Sequence, residues 1–105
     1  MATYLLAYHG GSMPESKAEQ AKVQELWGAW MKQLGTGLVD GGNPTGQAKT
    51  VAKDGKVSDG GGVNPVSGYS VIKVDSFENA LAAAKMCPIL AGGGSIEICE
   101  TVEVM

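Results

Sequence analysis

The sequence has no arginine, one histidine and two cysteines among its 105 residues. Arginine is the side chain best suited to phosphates and base edges, and no lysine cluster replaces it, so we expect no nucleic-acid partner. Cys87 and Cys99 lack C-x-x-C spacing, and two thiols do not form a disulfide framework, which fits a reducing cytoplasm. No apolar run is long enough to cross a bilayer, and the first residues do not resemble a signal peptide, so we expect no membrane partner.

The composition is that of an ordinary globular protein. It is 44% hydrophobic and 18% charged, which argues against disorder. The length suits a single domain over residues 1–105 and is too short for two domains. Because a chain this short buries only about 60% of its unfolded surface, its core is thin, and a partner subunit would add useful burial.

A strand followed by a helix is predicted at the beginning of the chain. Residues 3–8 are apolar or aromatic on both parities, which is typical of a strand buried on both faces. Two capping boxes compete for the start of the helix, one from Ser12 to Glu15 and one from Ser16 to Glu19. The sequence leaves this boundary open.

The helix has one apolar stripe at helical spacing. Gly35 ends it, and a short second strand begins at residue 38. Gly28 in the middle of the helix costs about 1 kcal/mol in propensity, so we expect close packing against it. The stripe consists of Val23, Trp27, Trp30 and Leu34.

Three further strands and a second helix follow. Residues 49–53 and 56–58 flank Asp54-Gly55, which predicts a hairpin with a two-residue turn. A strand over residues 69–74 leads to a helix that Ser76 caps. The buried stripe of this helix is Phe77, Ala80, Leu81 and Ala84, with Pro88 just beyond its end.

The last predicted strand runs from Ile96 to Val104. Glu100 interrupts its apolar face. Either Glu100 faces a wet cavity or a bulge shifts the register there, and we favour the bulge.

The order β-α-β-(hairpin)-β-α-β predicts an α+β fold. Two crossover units of this kind give a ferredoxin-like arrangement with an extra β-hairpin and with both helices on one sheet face. The other face is also apolar, as the first strand and Tyr69 and Val71 indicate, and such a face is not left in water. We therefore expect a second copy of the chain to cover it, which makes the protein a homodimer.

A series of short motifs extends along nearly the whole chain. They are Tyr4-Leu5-Leu6 before Gly10-Gly11, Trp27-x-x-Trp30, Leu38-Val39-Asp40-Gly41-Gly42, Asp54 to Gly60, Ser67-Gly68-Tyr69, Cys87-Pro88 before Gly92-Gly93, and Ile96-Glu97-Ile98. In order and spacing they resemble the YCII-related domain family. The resemblance implies a dimeric α+β barrel, in which two ferredoxin-like sheets pack face to face. It implies no defined activity, because most members have none assigned, although a few relatives act on small aromatic or lactone-like metabolites.

The sequence departs from both branches of that family. The DGPF branch has Pro-Phe after Asp-Gly, whereas Gly61-Gly62 follows Asp59-Gly60 here. The resemblance to the YCII branch implies a histidine on the first helix paired with an aspartate in an Asp-Pro step after the second. Here the first helix has no histidine and the second ends in Cys87-Pro88, so that acid–base pair is missing.

Polar residues at strand ends form the candidate site. His9 lies beside Gly10-Gly11 and a helix N-terminus, where it could act as a general base or simply as a polar loop residue. Asp40 and Asp59 precede glycines, where carboxylates can activate water or orient a histidine, although Asp-Gly is more often turn chemistry. These three are the candidate catalytic residues. The candidate ligand-binding residues are Tyr8, Ser12, Asn43 and Tyr69, of which the tyrosines have core packing as their alternative role.

Two functions fit these features. In the first, the protein is a homodimeric small-molecule-binding domain, with or without weak enzymatic activity on a small metabolite, and its ligand lies between sheet and helices near His9, Asp40 and Asp59. In the second, it is a non-catalytic regulatory or interaction module that only dimerises. We expect no cofactor and no metal, because neither phosphate-binding glycine motif is present and no Cys, His or carboxylate spacing suggests a ligand set.

Overall fold

The computed structural model describes residues 2–104, which form an α+β arrangement of six strands and two helices. The strands are β1 (Ala2–His9), β2 (Leu38–Asp40), β3 (Lys49–Val51), β4 (Val57–Asp59), β5 (Val66–Val74) and β6 (Ser95–Glu100), and the helices are α1 (Lys17–Leu34) and α2 (Phe77–Lys85). A short 3-10 turn follows each helix. The α+β class predicted from the sequence is confirmed.

Four strands form one antiparallel sheet in the order β2-β5-β1-β6, and β3 and β4 form a separate two-stranded ladder. β1 thus lies between two neighbours, which explains why it is apolar on both parities. The pairing of β1 with β5 shifts between Tyr8, opposite Gly68, and His9, opposite Val66. Ser67 is the extra residue, and bulges of this kind often lie next to functional sites.

Both helices pack on the sheet face that carries the even-numbered residues of β1. Phe77 of α2 meets Tyr4 edge-on, with ring centroids 5.1 Å apart, and Trp27 of α1 meets Tyr8 in the same way at 5.4 Å. Each such pair adds about 1 kcal/mol beyond the area it buries. The two helices are therefore anchored at opposite ends of β1. The buried cluster beneath them consists of Tyr4, Leu6, Tyr8, Trp30, Ile72, Ala80 and Cys87.

The helices begin where local capping chemistry places them. Ser16 is the N-cap of α1, and its hydroxyl accepts a hydrogen bond of 3.1 Å from the backbone N–H three residues later. Ser12 stays in the preceding loop, where its backbone N–H donates to the Gly92 carbonyl. The second of the two competing capping boxes is therefore the helix start. Ser76 caps α2 as predicted.

The predicted stripe of α1 faces the sheet but is only partly covered. Trp30 is buried, whereas Val23, Trp27 and Leu34 are half-buried. The prediction of close packing at Gly28 is wrong, because a Cβ there would meet no atom within 4 Å. In α1 the apolar residues face the core, while Gly28 lies on the solvent side.

α2 buries a narrower stripe than its sequence predicts. Ala80 and Ala84 are buried, but Phe77 and Leu81 are each 41% exposed. The helix ends at Lys85, ahead of the expected proline. Only the small residues of this helix are fully buried, so much apolar surface on the helix side remains open.

The other face of the sheet carries the odd-numbered residues of β1. Side chains alternate along a strand, so this face takes one residue in two from each paired strand. We call it the open face, because both helices lie on the opposite side. Its apolar residues are Leu5, Ala7, Tyr69, Val71 and Cys99, of which all except Ala7 are half-buried. Thr3, His9, Lys73 and Glu97 lie towards the ends of the same face.

The β3–β4 hairpin stands apart from the four-stranded sheet, and every residue from 43 to 66 is exposed. The predicted two-residue turn at Asp54-Gly55 is wrong in length. The backbone N–H of Ala52 donates to the Lys56 carbonyl at 2.8 Å, which leaves three residues between this hydrogen-bonded pair. The last of them is a glycine with φ of 89°, the left-handed conformation that this longer turn requires.

β6 is shorter and more regular than predicted. It pairs with β1 in unbroken register from His9–Ser95 to Tyr4–Glu100, so the bulge expected at Glu100 is wrong. Glu100 is the exposed last residue of the strand. Val102 and Val104, which were expected to continue the strand, are 75% and 84% exposed beyond its end. The acidic side chain lies where water solvates it.

Candidate functional site

His9 ends β1 with its ring held on both sides. Nδ1 lies 3.1 Å from the Pro65 carbonyl oxygen, and Nε2 lies 3.2 Å from a Glu97 carboxylate oxygen. Both partners are acceptors, so only the protonated imidazolium can donate to both at once. The ring is just 9% exposed. A general base needs a ring nitrogen facing its substrate, and in this chain both nitrogens of His9 are engaged.

Glu97 reaches His9 diagonally across the β1–β6 ladder. Glu97 pairs directly with Ala7, two residues from His9 on the same sheet face. Its side chain is 64% exposed, so water screens the ion pair and its contribution to stability is small. No sequence pattern predicts this contact, because it depends on the register of two strands at opposite ends of the chain.

Asp40 and His9 lie at different places in the sheet. Asp40 Oδ1 accepts a hydrogen bond of 2.8 Å from the Gly42 backbone N–H, which is turn chemistry. On β5, His9 pairs with Val66, and from the far side of β5 Asp40 pairs with Val71. At roughly 3.3 Å a residue, these two positions on β5 are about 15 Å apart. One small ligand does not bridge that separation.

Asp59 belongs to the hairpin rather than to the main sheet. Its carboxylate lies 3.2 Å from Lys49 Nζ on the neighbouring strand, and both side chains are exposed. The pair contributes little to stability because water surrounds it. Within one chain the structure therefore does not bring His9, Asp40 and Asp59 into one cluster.

The candidate ligand-binding residues are divided between two sides of the sheet. Tyr8 points towards the helices, whereas Tyr69 lies on the open face opposite Ala7. Ser12 is exposed, and its hydroxyl lies 3.5 Å from the carbonyl oxygen of Gly92. Asn43 is exposed, and its carbonyl accepts a 3.3 Å hydrogen bond from a β5 backbone N–H. Ser12 and Asn43 hold loops to neighbouring segments.

A buried chain of hydroxyls lies beneath the helices. The Tyr8 hydroxyl donates to Ser70 Oγ at 2.7 Å, and Ser70 in turn donates to the Gly41 carbonyl at 2.8 Å. Burial raises the pKa of the Tyr8 phenol, despite the opposing hydrogen bond with Ser70. Burial likewise raises the pKa of the adjacent Cys87 thiol. Both groups keep their protons at neutral pH, so neither acts as a general acid or base there. The hydrogen bonds of Tyr8 and Ser70 connect β1, β5 and the loop after β2.

Sequence reasoning singled out Tyr8 but missed Ser70. A signal existed, because Ser70 shares a parity with Gly68 and Ile72 and is the one hydroxyl on the buried side of β5. A hydroxyl in such a position requires a partner. Which partner it finds depends on the register between β5 and β1, which no sequence pattern predicts.

Two open grooves run along the helix side, and Trp30 lies in both. Their volumes are about 490 Å³ and 440 Å³, within the usual range for small-molecule sites. The Trp30 indole N–H donates to the Ala83 carbonyl at 2.9 Å, which fixes the ring between α1 and α2. The first groove is lined mainly by Trp30, Leu34, Val74 and Met86, and the second by Leu26, Trp30, Met86 and Leu90. None of the seven candidate residues lines either groove.

Among residues 2–104, no group of three or more His, Cys, Asp or Glu side chains is arranged to hold a metal ion. Within the same described part of the chain, neither helix has the length and apolar character needed to cross a membrane.

No protein-family model matches the sequence, and no curated protein matches it.

Proposed function

We propose that the chain is a homodimeric, small-molecule-binding domain of the YCII-related type, with a ferredoxin-like topology that pairs into a dimeric α+β barrel. The strand order supports the topology, because α1 connects β1 to β2 across β5 and α2 connects β5 to β6 across β1. The proposal includes a cytoplasmic location, which agrees with Cys87 and Cys99 both being free thiols.

The open face is the observation that carries the dimer. It presents Leu5, Tyr69 and Val71 at the centre of a sheet whose helices are all on the other side. Burial of apolar surface contributes about 25 cal/mol per Å² to the free energy of association. Packing the open face of one copy on the open face of a second copy is therefore favourable. Two identical faces related by a twofold axis are self-complementary, as a symmetric dimer requires.

The grooves beside Trp30 are the proposed ligand sites. Their walls are mainly apolar, and Gln33 borders both, while Asn79 and Lys85 border one each. A mostly apolar groove with a few polar groups suits a small molecule that has one polar end. This location replaces the one expected from the sequence, because the three strand-end residues do not share a cavity wall here.

Sedimentation velocity across the micromolar range tests the dimer. We expect the unmodified chain to sediment as a dimer and Val71→Asp to sediment as a monomer, because the new carboxylate would be buried without a partner. Leu81→Asp is the matched control, since Leu81 is an exposed apolar residue on the helix side. A monomer throughout, or equal behaviour of the two variants, would contradict the proposal.

A non-catalytic module that only dimerises is the second candidate. The engaged ring nitrogens of His9 favour it, as do the turn contacts of Asp40 and the lysine contact of Asp59. A thermal-shift screen of small metabolites separates the two candidates. A ligand whose stabilisation is lost in a Trp30→Ala variant supports the binding domain, whereas turnover that is lost in His9→Ala excludes the non-catalytic module.

A further inference from the structure

Residues 46–64 form an extended arm that contributes nothing to the core of its own chain. Every one of these residues is exposed, and the only strands within them, β3 and β4, pair with each other. The radius of gyration is 15.1 Å, whereas about 13 Å is typical of a compact domain of this length. The exposed arm adds to this value because it lies outside the packed helices and sheet.

The arm has one apolar face. Val51 pairs with Val57 across the ladder, and the side chains are 68% and 61% exposed. Lys49 and Asp59 form their ion pair on the same face, two residues along each strand. Thr50 and Ser58 pair on the opposite face. An isolated two-stranded hairpin is marginally stable in water, so the valine face gains most by being covered.

The chain is flat, and the arm extends sideways from the helix and sheet layers. The dimensions of the chain are 43 × 41 × 17 Å, and the smallest of these is the thickness of one helix layer on one sheet. Nothing therefore projects far above or below these two layers. An arm that extends sideways within this thickness lies beyond the edge of the sheet, where a copy stacked on the open face can contact it.

The open face alone is smaller than the contact area of a stable dimer. Four strands spaced about 4.8 Å apart make it about 19 Å wide, and β1, with 8 residues, is about 26 Å long. A plane of that size offers about 500 Å², short of the roughly 800 Å² per partner in a stable interface. An arm about 20 Å long and 10 Å wide adds about 200 Å² where it packs on the second copy. Each copy buries the same area again where it is contacted by the arm of the other copy.

From these observations we propose that the arm packs against the second copy of the chain, with Val51 and Val57 at the contact. The inference rests on the homodimer proposed above and names an interface segment that lies outside the sheet. Each arm reaches past the edge of its own sheet and completes the area that the open face lacks.

A pair of charge variants on the arm tests the contact. Val57→Asp places a carboxylate on the valine face, and Ser58→Asp places the same charge on the opposite face of the same strand. We expect Val57→Asp to raise the dimer dissociation constant on the order of tenfold or more, and Ser58→Asp to change it little. Equal dissociation constants for the two variants, with the dimer intact, would contradict the proposed arm contact but not the dimer formed through the open face.

Limited proteolysis of the unmodified chain gives a second readout that needs no change in the arm. Trypsin cuts after lysine, and Lys49, Lys53 and Lys56 are all exposed on the arm. Cleavage there should slow as protein concentration rises and the dimer forms, whereas the monomeric Val71→Asp variant should be cut at one rate throughout. Arm cleavage that stays fast in a demonstrated dimer would overturn the inference. A chain that never dimerises would overturn both this inference and the dimer itself.

Discussion

Replacing Ser70 with alanine should lower the free energy of unfolding by about 2–4 kcal/mol, because one hydroxyl satisfies two other groups. Ser70 is fully buried, accepts from the Tyr8 hydroxyl at 2.7 Å and donates to the Gly41 carbonyl at 2.8 Å. An orphaned buried group costs about 1–3 kcal/mol. Gly41 is only half-buried, so its carbonyl can be partly hydrated and belongs at the low end of that range.

Tyr8→Phe should cost less, about 1 kcal/mol, because Ser70 keeps its own bond to Gly41. In the Tyr8→Phe background, Ser70→Ala then leaves one unpaired group instead of two. The double-mutant cycle should therefore give a coupling energy of about 1–2 kcal/mol between Tyr8 and Ser70.

Urea unfolding followed by far-UV circular dichroism measures these differences. All variants must be compared at one protomer concentration, since dimerisation makes apparent stability depend on concentration. Ser58→Ala on the exposed hairpin is the matched control and should stay within about 0.5 kcal/mol of the unmodified chain. If Ser70→Ala costs no more than this control, or if the two changes at Tyr8 and Ser70 are additive, the buried hydroxyl chain does not stabilise the fold.

Three further predictions follow from local geometry. Gly42→Ala should lower the thermal midpoint, because the φ of Gly42 is 73° and a Cβ there would overlap a β5 carbonyl. Gly28→Ala, at an open helix position, should instead stabilise the fold by about 1 kcal/mol. Shifts of equal sign for the two variants would contradict this prediction. Trp30→Phe should cost about 2 kcal/mol in the urea assay, because it removes the indole donor and leaves a carbonyl unpaired; no loss would mean that water replaces the donor. Burial raises the pKa of Cys87 and Tyr8 above their ordinary 9.0 and 10.0, so the unfolded chain releases these protons at lower pH than the folded chain. The free energy of unfolding should therefore be at its full value below about pH 9 and fall as pH rises further. Tyr8→Phe should flatten this decline in a pH series of urea titrations, and an unchanged slope would refute the prediction.

The titratable groups nearest the core are buried or hydrogen-bonded. Tyr8 and Cys87 are buried and hold their protons, and both ring nitrogens of His9 face acceptors of the same chain. Apolar side chains are exposed on the valine face of the arm and line the grooves beside Trp30. These are the surfaces through which we propose association and binding.

Features that depend on neighbouring residues could be predicted from the sequence. Ser76 begins α2, and Gly35 follows the last residue of α1, because capping involves atoms within a turn of the helix. The hairpin around Gly55 and the stripe around Trp30 follow from turn chemistry and periodicity in the same way. The α+β class itself came from the order of these local elements.

The order of strands and helices and their apolar sides follow from the amino-acid pattern, because periodicity and capping act over a few residues. Which polar groups meet depends on tertiary packing. His9 and Glu97 are 88 residues apart in sequence, and Tyr8 and Ser70 are 62 apart. Their contacts depend on strand order and register, and a shift of one residue would move every side chain to the opposite face. For the same reason, polar residues that share a strand-end pattern in sequence ended up at separate places in the sheet and arm.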